Sequence, residues 1–290
     1  MKKKIGIIGL GEIGKKHLSE LRRSDYFELV SVCDKDEEAK QDGRFEFFKD
    51  LDEMFTNAKP EAIIIATPTK YHKENILKAL KYIKYIFVEA PCTLTLEQAR
   101  EMRYIAQANG AKIVVGFSER FNPTVEALKR ELIKEDEVYS INIIRGANIK
   151  DTLDIIDDML IKDLDLVRYL TNSEISFFDT KDVKYEGLGK IIHSSLKTKN
   201  NILVNISSNS FYPQKVTHME VVAGSGVYFA DLEGFMMHKI TNNGRINLRV
   251  DREKFSIRKE HELFAEVCND GEFGNLANID DAIKIREILK

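Results

Sequence analysis

Apolar positions in the first 118 residues fall into short runs separated by amphipathic stretches. Ile5, Ile7 and Ile8 make the first run, 27–33 (FELVSVC) the second and 61–66 (EAIIIA) a third. Short runs without a polar face suit strands of a parallel sheet that is covered on both sides. Further runs at 45–48, 85–88 and 112–115 bring the strands to six. Helical periodicity lies between them: directly after Gly11, at 51–55, and from about Tyr71 to Leu80, where Ile76, Leu77 and Leu80 share a face. A further helix is predicted from Thr95, an N-cap with Gln98 three residues on, to the stop at Asn109-Gly110. Alternation of this kind predicts an α/β, doubly wound parallel sheet.

The pattern changes after Ser118. Asn122-Pro123 opens a helix to about Lys134, 138–144 alternates as a strand, and a long helix runs from about Ile155 to Leu170. Strands follow at 175–183, 190–197, 202–210 and 217–223, with turn signals between them, and helices at about 261–268 and 280–289 end the pattern. The expected architecture is a first domain over 1–118 and an α+β second domain over 119–290. The second carries a large, open, mostly antiparallel sheet, with one face on helices and the other solvated or against a second subunit.

Composition narrows the function classes. The 290 residues are 43% hydrophobic, enough for sizeable cores. The charged residues cancel to a net charge of −3, which argues against a nucleic-acid partner. No run approaches 18 uninterrupted apolar residues, so no membrane span is expected. Cys33, Cys92 and Cys268 are scattered and odd in number, which points to a reducing cytoplasm and against disulfides or zinc. His193, His218, His238 and His261 have no ligand spacing, so no metal is assigned.

The chemistry concentrates at the start. Gly9, Gly11 and Gly14, with Glu12 and Ile13 inside the loop, stand in the G-x-G-x-x-G spacing between a strand and a helix. Such glycines give a tight turn, close approach to a pyrophosphate and close helix packing, and the helix N-terminus holds the phosphates. Asp34 ends the second strand twenty positions after Gly14. An acid there bonds both ribose hydroxyls and repels a 2′-phosphate, so NAD is the expected cofactor. NADP is the alternative, because Lys35 is adjacent.

Several stretches together resemble the Gfo/Idh/MocA family of nicotinamide-dependent oxidoreductases, in its UDP-sugar 3-dehydrogenase-like and inositol-dehydrogenase-like branches. They are GLGEIGKKH at 9–17, ATPTKYH at 66–72, VEAPCTLTLEQAREM at 88–102, VGFSERFNP at 115–123, IIDDMLIKDLDLVRYL at 155–170 and EVVAGSGVYFADLEG at 220–234. The resemblance implies a Rossmann domain followed by a domain whose sheet builds homodimers or homotetramers. It also implies hydride transfer between nicotinamide and a hydroxyl or keto carbon of a sugar, nucleotide sugar or cyclitol. Thr67, Pro68, His72, Glu89 and Ala90 would then lie along the cofactor, with a structural hydrogen-bonding role the alternative for His72; His17 is a helix-packing group or a ligand contact. Arg120, Asn122 and Lys150 would meet substrate, with an interdomain salt bridge the alternative for Arg120 and a helix cap the alternative for Asn122, and Asn148 shares the strand end with Lys150.

Two positions depart from that family's pattern. Its E-K-P lysine is Ala90 here, and the histidine of its D-x-x-x-H-D-x-D helix is Lys162. A methyl group does no proton chemistry, so Lys162, with Asp158 one turn before it, is the expected replacement. The bland alternative is a solvated Asp158–Lys162 pair opposite a core stripe of Ile156, Leu160, Leu164 and Val167. At the level of the whole protein, two other readings stay open. One is a biliverdin-reductase-like enzyme that does not need the lysine; the other is a non-catalytic NAD-binding sensor or subunit.

Overall fold

The computed structural model describes residues 2–36, 44–148, 155–252 and 256–290. They divide into two compact units, one running to Ser118 and including Ile257–Lys290, the other spanning Glu119–Ser256.

In the first unit the strands are β1 (Lys3–Ile8), β2 (Phe27–Cys33), β3 (Glu46–Phe48), β4 (Ala62–Ile65), β5 (Tyr85–Glu89) and β6 (Lys112–Gly116). Between them run α1 (Glu12–Leu21), α2 (Leu51–Asn57), α3 (His72–Ala79) and α4 (Leu96–Ala108). The six strands are parallel in the order β6-β5-β4-β1-β2-β3. The order reverses beside β1, the switch point where ligands bind in such sheets. Every residue of β4 is fully buried, as an apolar run covered on both faces requires. Thr95 caps α4 by accepting from the Gln98 N–H at 3.2 Å.

The sequence expectation that residues 119–290 form the second domain is corrected here. After Ser256 the chain returns to the first unit as α7 (Ser256–Val267), β15 (Ala277–Asn278) and α8 (Ile279–Ile288). β15 pairs antiparallel with β6 and covers the edge of the parallel sheet, while Arg100 and Arg103 of α4 bind Glu287 and Asp280 of α8.

The second unit holds α5 (Pro123–Leu132), β7 (Val138–Asn148), α6 (Ile161–Thr171), β8 (Ile175–Tyr185), β9 (Gly189–Thr198), β10 (Leu203–Asn209) and β11 (Phe211–Ala223). Three strands without a separate sequence expectation follow: β12 (Gly226–Asp231), β13 (Met236–Thr241) and β14 (Gly244–Leu248). The order is β14-β13-β12-β11-β7-β10-β9-β8, antiparallel except for β7 with β10. The inner face buries Ile141, Ile143, Val204, Ile206, Met219 and Val221. Ser208, and Ser210 just past the end of β10, continue that buried face, so the inner face turns polar there.

The long helix differs from its expectation. Residues Ile156–Leu160 form a π turn, and the α-helix proper begins at Ile161. The wider turn changes which side chains face inward. Leu160, Leu164 and Val167 are buried as expected, Ile156 is half-buried, and the inward face also takes in Asp163, Asp165 and Arg168. Each of these charges has a partner. Arg145 of β7 donates to both Asp163 oxygens from Nε (2.9 and 3.1 Å) and to Glu119 from a terminal nitrogen (3.1 Å). Arg120 forks onto Asp165 at 2.7 and 2.6 Å, and Arg168 pairs with Glu174.

Removing one partner of a buried pair leaves an uncompensated charge in the interior, which costs about 3–5 kcal/mol. Arg145→Met is therefore expected to lower the stability of the second unit by about that amount, read from the shift of its urea unfolding midpoint.

Candidate dinucleotide site and polar centre

The glycine loop works through close backbone approach. Gly9 has φ +93°, and a Cβ there would lie 2.9 Å from the Ala66 carbonyl oxygen. A Cβ on Gly14 would lie 2.0 Å from the Gly9 carbonyl oxygen. These two positions exclude side chains for reasons internal to the fold. Gly11 differs: a Cβ there would meet nothing within 4 Å. It is the N-cap of α1 and makes no side-chain cap. The first N–H groups of α1 therefore open onto empty space, as an anion cradle requires.

Asp34 closes the other side. Its carboxylate accepts from the Leu10 N–H, and its second oxygen accepts from the Asp36 N–H at 2.9 Å. Both oxygens keep acceptor capacity for ribose hydroxyls. Gly9, Gly11, Asp34, Lys35, Thr67 and Pro68 line one cavity of about 320 Å³, within the roughly 300–1,000 Å³ of small-molecule sites. The cradle, the fixed acid and the room together fit a dinucleotide.

Sequence reasoning missed other walls of this cavity. Lys49 and Asp50 follow β3, and Tyr71, Glu74, Asn75 and Lys78 come from the start and face of α3. Asp50 also caps α2 through the Glu53 N–H. Their common signal is position at the carboxyl ends of β3 and β4, the strands that flank β2 and β1. The Glu12 side chain turns along α1 to pair with Lys16 at 2.7 Å, and Ile13 is half-buried. Neither side chain lines the cavity.

His72 is corrected from cofactor contact to loop holder. It is 1% exposed, and its ring nitrogens meet the carbonyl oxygens of Thr67 (2.6 Å) and Pro91 (3.0 Å). It thereby ties the Thr67-Pro68 loop to the Ala90-Pro91 turn, whose peptide is cis and whose alanine is half-buried. Burial pulls the His72 pKa below its ordinary value against the opposing pull of those carbonyls.

Glu89 opens a buried chain of groups. Its carboxylate lies 2.7 Å from His17 Nε2, and His17 Nδ1 lies 2.8 Å from His261 Nε2. Both histidines are buried, among Phe27, Phe87 and Phe264. His261 was unassigned in the sequence because 244 positions separate it from His17. Burial, with His17 stacked beside it, holds His261 well below the usual histidine value.

In the second unit, Asp158 and Lys162 are both half-buried and make no ion pair with each other among the described residues. The bland surface pair is therefore not formed. Glu119, which the sequence did not single out, joins this polar centre. Burial pushes its carboxyl up, but Arg145, Lys215 and Lys162 outweigh that and bring it below its ordinary value.

Two substrate candidates are engaged by protein partners, and for Asn122 this is the helix-cap alternative. The Arg120 guanidinium is 6% exposed and committed to Asp165. Asn122 caps α5 by accepting from the Thr124 N–H at 2.9 Å and donates to the Leu232 carbonyl at 3.1 Å, so both ends of its amide are used. Lys150 lies outside the described residues, and Asn148, at the end of β7, is exposed.

Residues 3–117 match a family model described as an oxidoreductase family with an NAD-binding Rossmann fold. Among curated relatives, glucose-6-phosphate 3-dehydrogenase of Bacillus subtilis (strain 168) is 30% identical over 218 residues, covering 68% of this chain and 59% of that protein. The scyllo-inositol 2-dehydrogenase (NAD(+)) of the same organism is 31% identical over 59% of this chain and 54% of its own length. The chain thus spans little more than half the length of these curated relatives. A solved UDP-N-acetylglucosamine 3-dehydrogenase from Acidithiobacillus ferrooxidans has the same fold, with a TM-score of 0.88 at 19% identity over 100% of this chain and 96% of that one.

Two outcomes follow from this geometry. Gly11→Ala leaves the unfolding midpoint unchanged yet weakens NAD binding by about tenfold or more in calorimetry, because the new methyl occupies phosphate space. Gly14→Ala instead lowers the midpoint, because its methyl meets backbone. His261, held neutral, stabilises the fold above the unfolded histidine pKa near ~6.5. That stability is lost as pH falls below it, by up to about 1.4 kcal/mol per pH unit, with His72 acting in the same direction. Urea titrations at pH 7.5 and pH 5 should therefore show a smaller loss for His261→Phe than for the unaltered protein.

Proposed function

We propose that this chain, whose residues 3–117 match the Gfo/Idh/MocA oxidoreductase family's NAD-binding Rossmann model, is an NAD-preferring dehydrogenase of that family acting on a hydroxyl-bearing carbon of a sugar, nucleotide sugar or cyclitol. Relatives named for glucose-6-phosphate and for inositols support that substrate class. NADP is the alternative cofactor. The observation that carries the reading is the combination of an intact dinucleotide cradle with Lys162, half-buried and without an ion pair among the described residues, where the family has its histidine.

NAD, when bound, supplies the hydride acceptor. The glycine loop and Asp34 would hold and orient it. Lys162 takes the proton of the substrate hydroxyl, and Asp158 accepts a hydrogen bond from a neighbouring substrate hydroxyl, which fixes the substrate's orientation. In the reverse direction the Lys162 ammonium returns the proton to the carbonyl oxygen. Glu119 and Asp163 counter the positive charge of that ammonium.

The same reading includes a homo-oligomer in the cytoplasm. The outward face of the large sheet presents Phe177, Val183, Leu203, Met236 and Ile240, each more than 40% exposed, which favours burial against a second copy. Cys33, Cys92 and Cys268 are buried free thiols, in keeping with a reducing compartment.

Ala90 favours a second reading, an NAD-binding protein without turnover. Lys162→Met separates the two. It should reduce turnover on a panel of sugars, nucleotide sugars and inositols by about 10²–10⁴-fold while leaving the NAD dissociation constant unchanged. Turnover that survives the substitution removes Lys162 from the chemistry; NAD binding with no turnover in the unaltered protein supports the second reading.

A further inference from the structure

Lys35 follows Asp34 directly and lines the same cavity. It is the nearest cation in sequence to the carboxylate that faces the adenosine ribose. A free ammonium there would neutralise a 2′-phosphate and offset the repulsion from Asp34. In this chain the ammonium is engaged by an aromatic ring: Lys35 Nζ stands 5.3 Å from the centroid of the Tyr71 ring. Lys70 Nζ stands 5.0 Å from the same centroid. Tyr71 itself lines the cavity and is 39% exposed.

An aromatic face attracts a cation within about 6 Å of its centroid, weakly at an exposed site. Two ammonium groups on one ring repel each other, so neither is held firmly. Lys35 is thus engaged by the ring but can be released. The other two lysines of the cavity are Lys49 and Lys78, and Lys78 stands 3.9 Å from Glu74.

We propose that Tyr71 sets dinucleotide selectivity: its ring holds the Lys35 ammonium away from the ribose 2′ position and so preserves the preference for NAD that Asp34 establishes. A 2′-phosphate has to pull Lys35 off the ring before the two can pair, and that step penalises NADP alone. The inference rests on the dinucleotide reading of this cavity and adds a residue that no glycine or acid rule marks.

The test is calorimetric titration of NAD and of NADP into the unaltered protein, Tyr71→Phe and Tyr71→Leu, each with and without Lys35→Met. Phenylalanine keeps the π face and should leave the ratio of the two dissociation constants unchanged. Leucine removes it and should shift the ratio towards NADP by about two- to fivefold. In the Lys35→Met background, Tyr71→Leu should shift nothing. An unmoved ratio in Tyr71→Leu, including equal weakening of both dinucleotides, overturns the inference, as does an equal shift with and without Lys35. Failure of the unaltered protein to bind either dinucleotide overturns the reading of the cavity together with it.

Discussion

Backbone meeting backbone at Gly9 and Gly14 is the contact on which the first unit turns. The start of α1 can sit against the end of β1 only because neither residue carries a Cβ, and the remaining geometry follows from that approach. It brings Leu10 within reach of Asp34, which joins the ends of β1 and β2. It leaves Gly11 facing outward with nothing above it, so the uncapped helix start becomes an anion cradle. The acid, the loop and the helix are thus three consequences of one close packing.

The second unit is organised by a different force. Asp163 and Asp165 are inside the protein because arginines meet them there, and Arg145 and Arg120 come from a strand and a loop that α6 would not otherwise grip. Such pairs fix orientation more than they stabilise, since two charges must leave water before they attract. With Asp163 and Asp165 directed inward, Lys162 stays on the half-buried side. The proton chemistry assigned to it therefore depends on ion pairs that never touch a ligand.

Legibility in the sequence followed distance along the chain. The glycine spacing, the acid twenty residues on and the apolar strands of the parallel sheet are local, and each could be read from its neighbours. Thr95 as a cap was readable for the same reason. Arg120 and Asn122 stayed open in the sequence because a guanidinium or an amide near a junction has the same signature whether it meets a ligand or a partner 45 or 110 positions away. Tyr71, inside the ATPTKYH stretch, and Lys49, in no motif, become cavity walls only through sheet order. The strands after Ala223 are short and joined by tight turns, so their periodicity has little room to show. The π turn inserts its extra residue without any Pro or Gly to announce it.

The return of the C-terminal segment to the first unit has a consequence for the order of events during synthesis. The six parallel strands emerge from the ribosome early, yet β15 and His261, which cover the β6 edge and complete the histidine pair, follow only after the whole second unit has been made. For that interval the nascent sheet has an unpaired edge, the kind of surface that recruits foreign strands. The Glu119–Ser256 unit, continuous in the chain, has no such wait. Topologically it is an insertion into the dinucleotide fold, and the earlier-born unit is the later one to be finished.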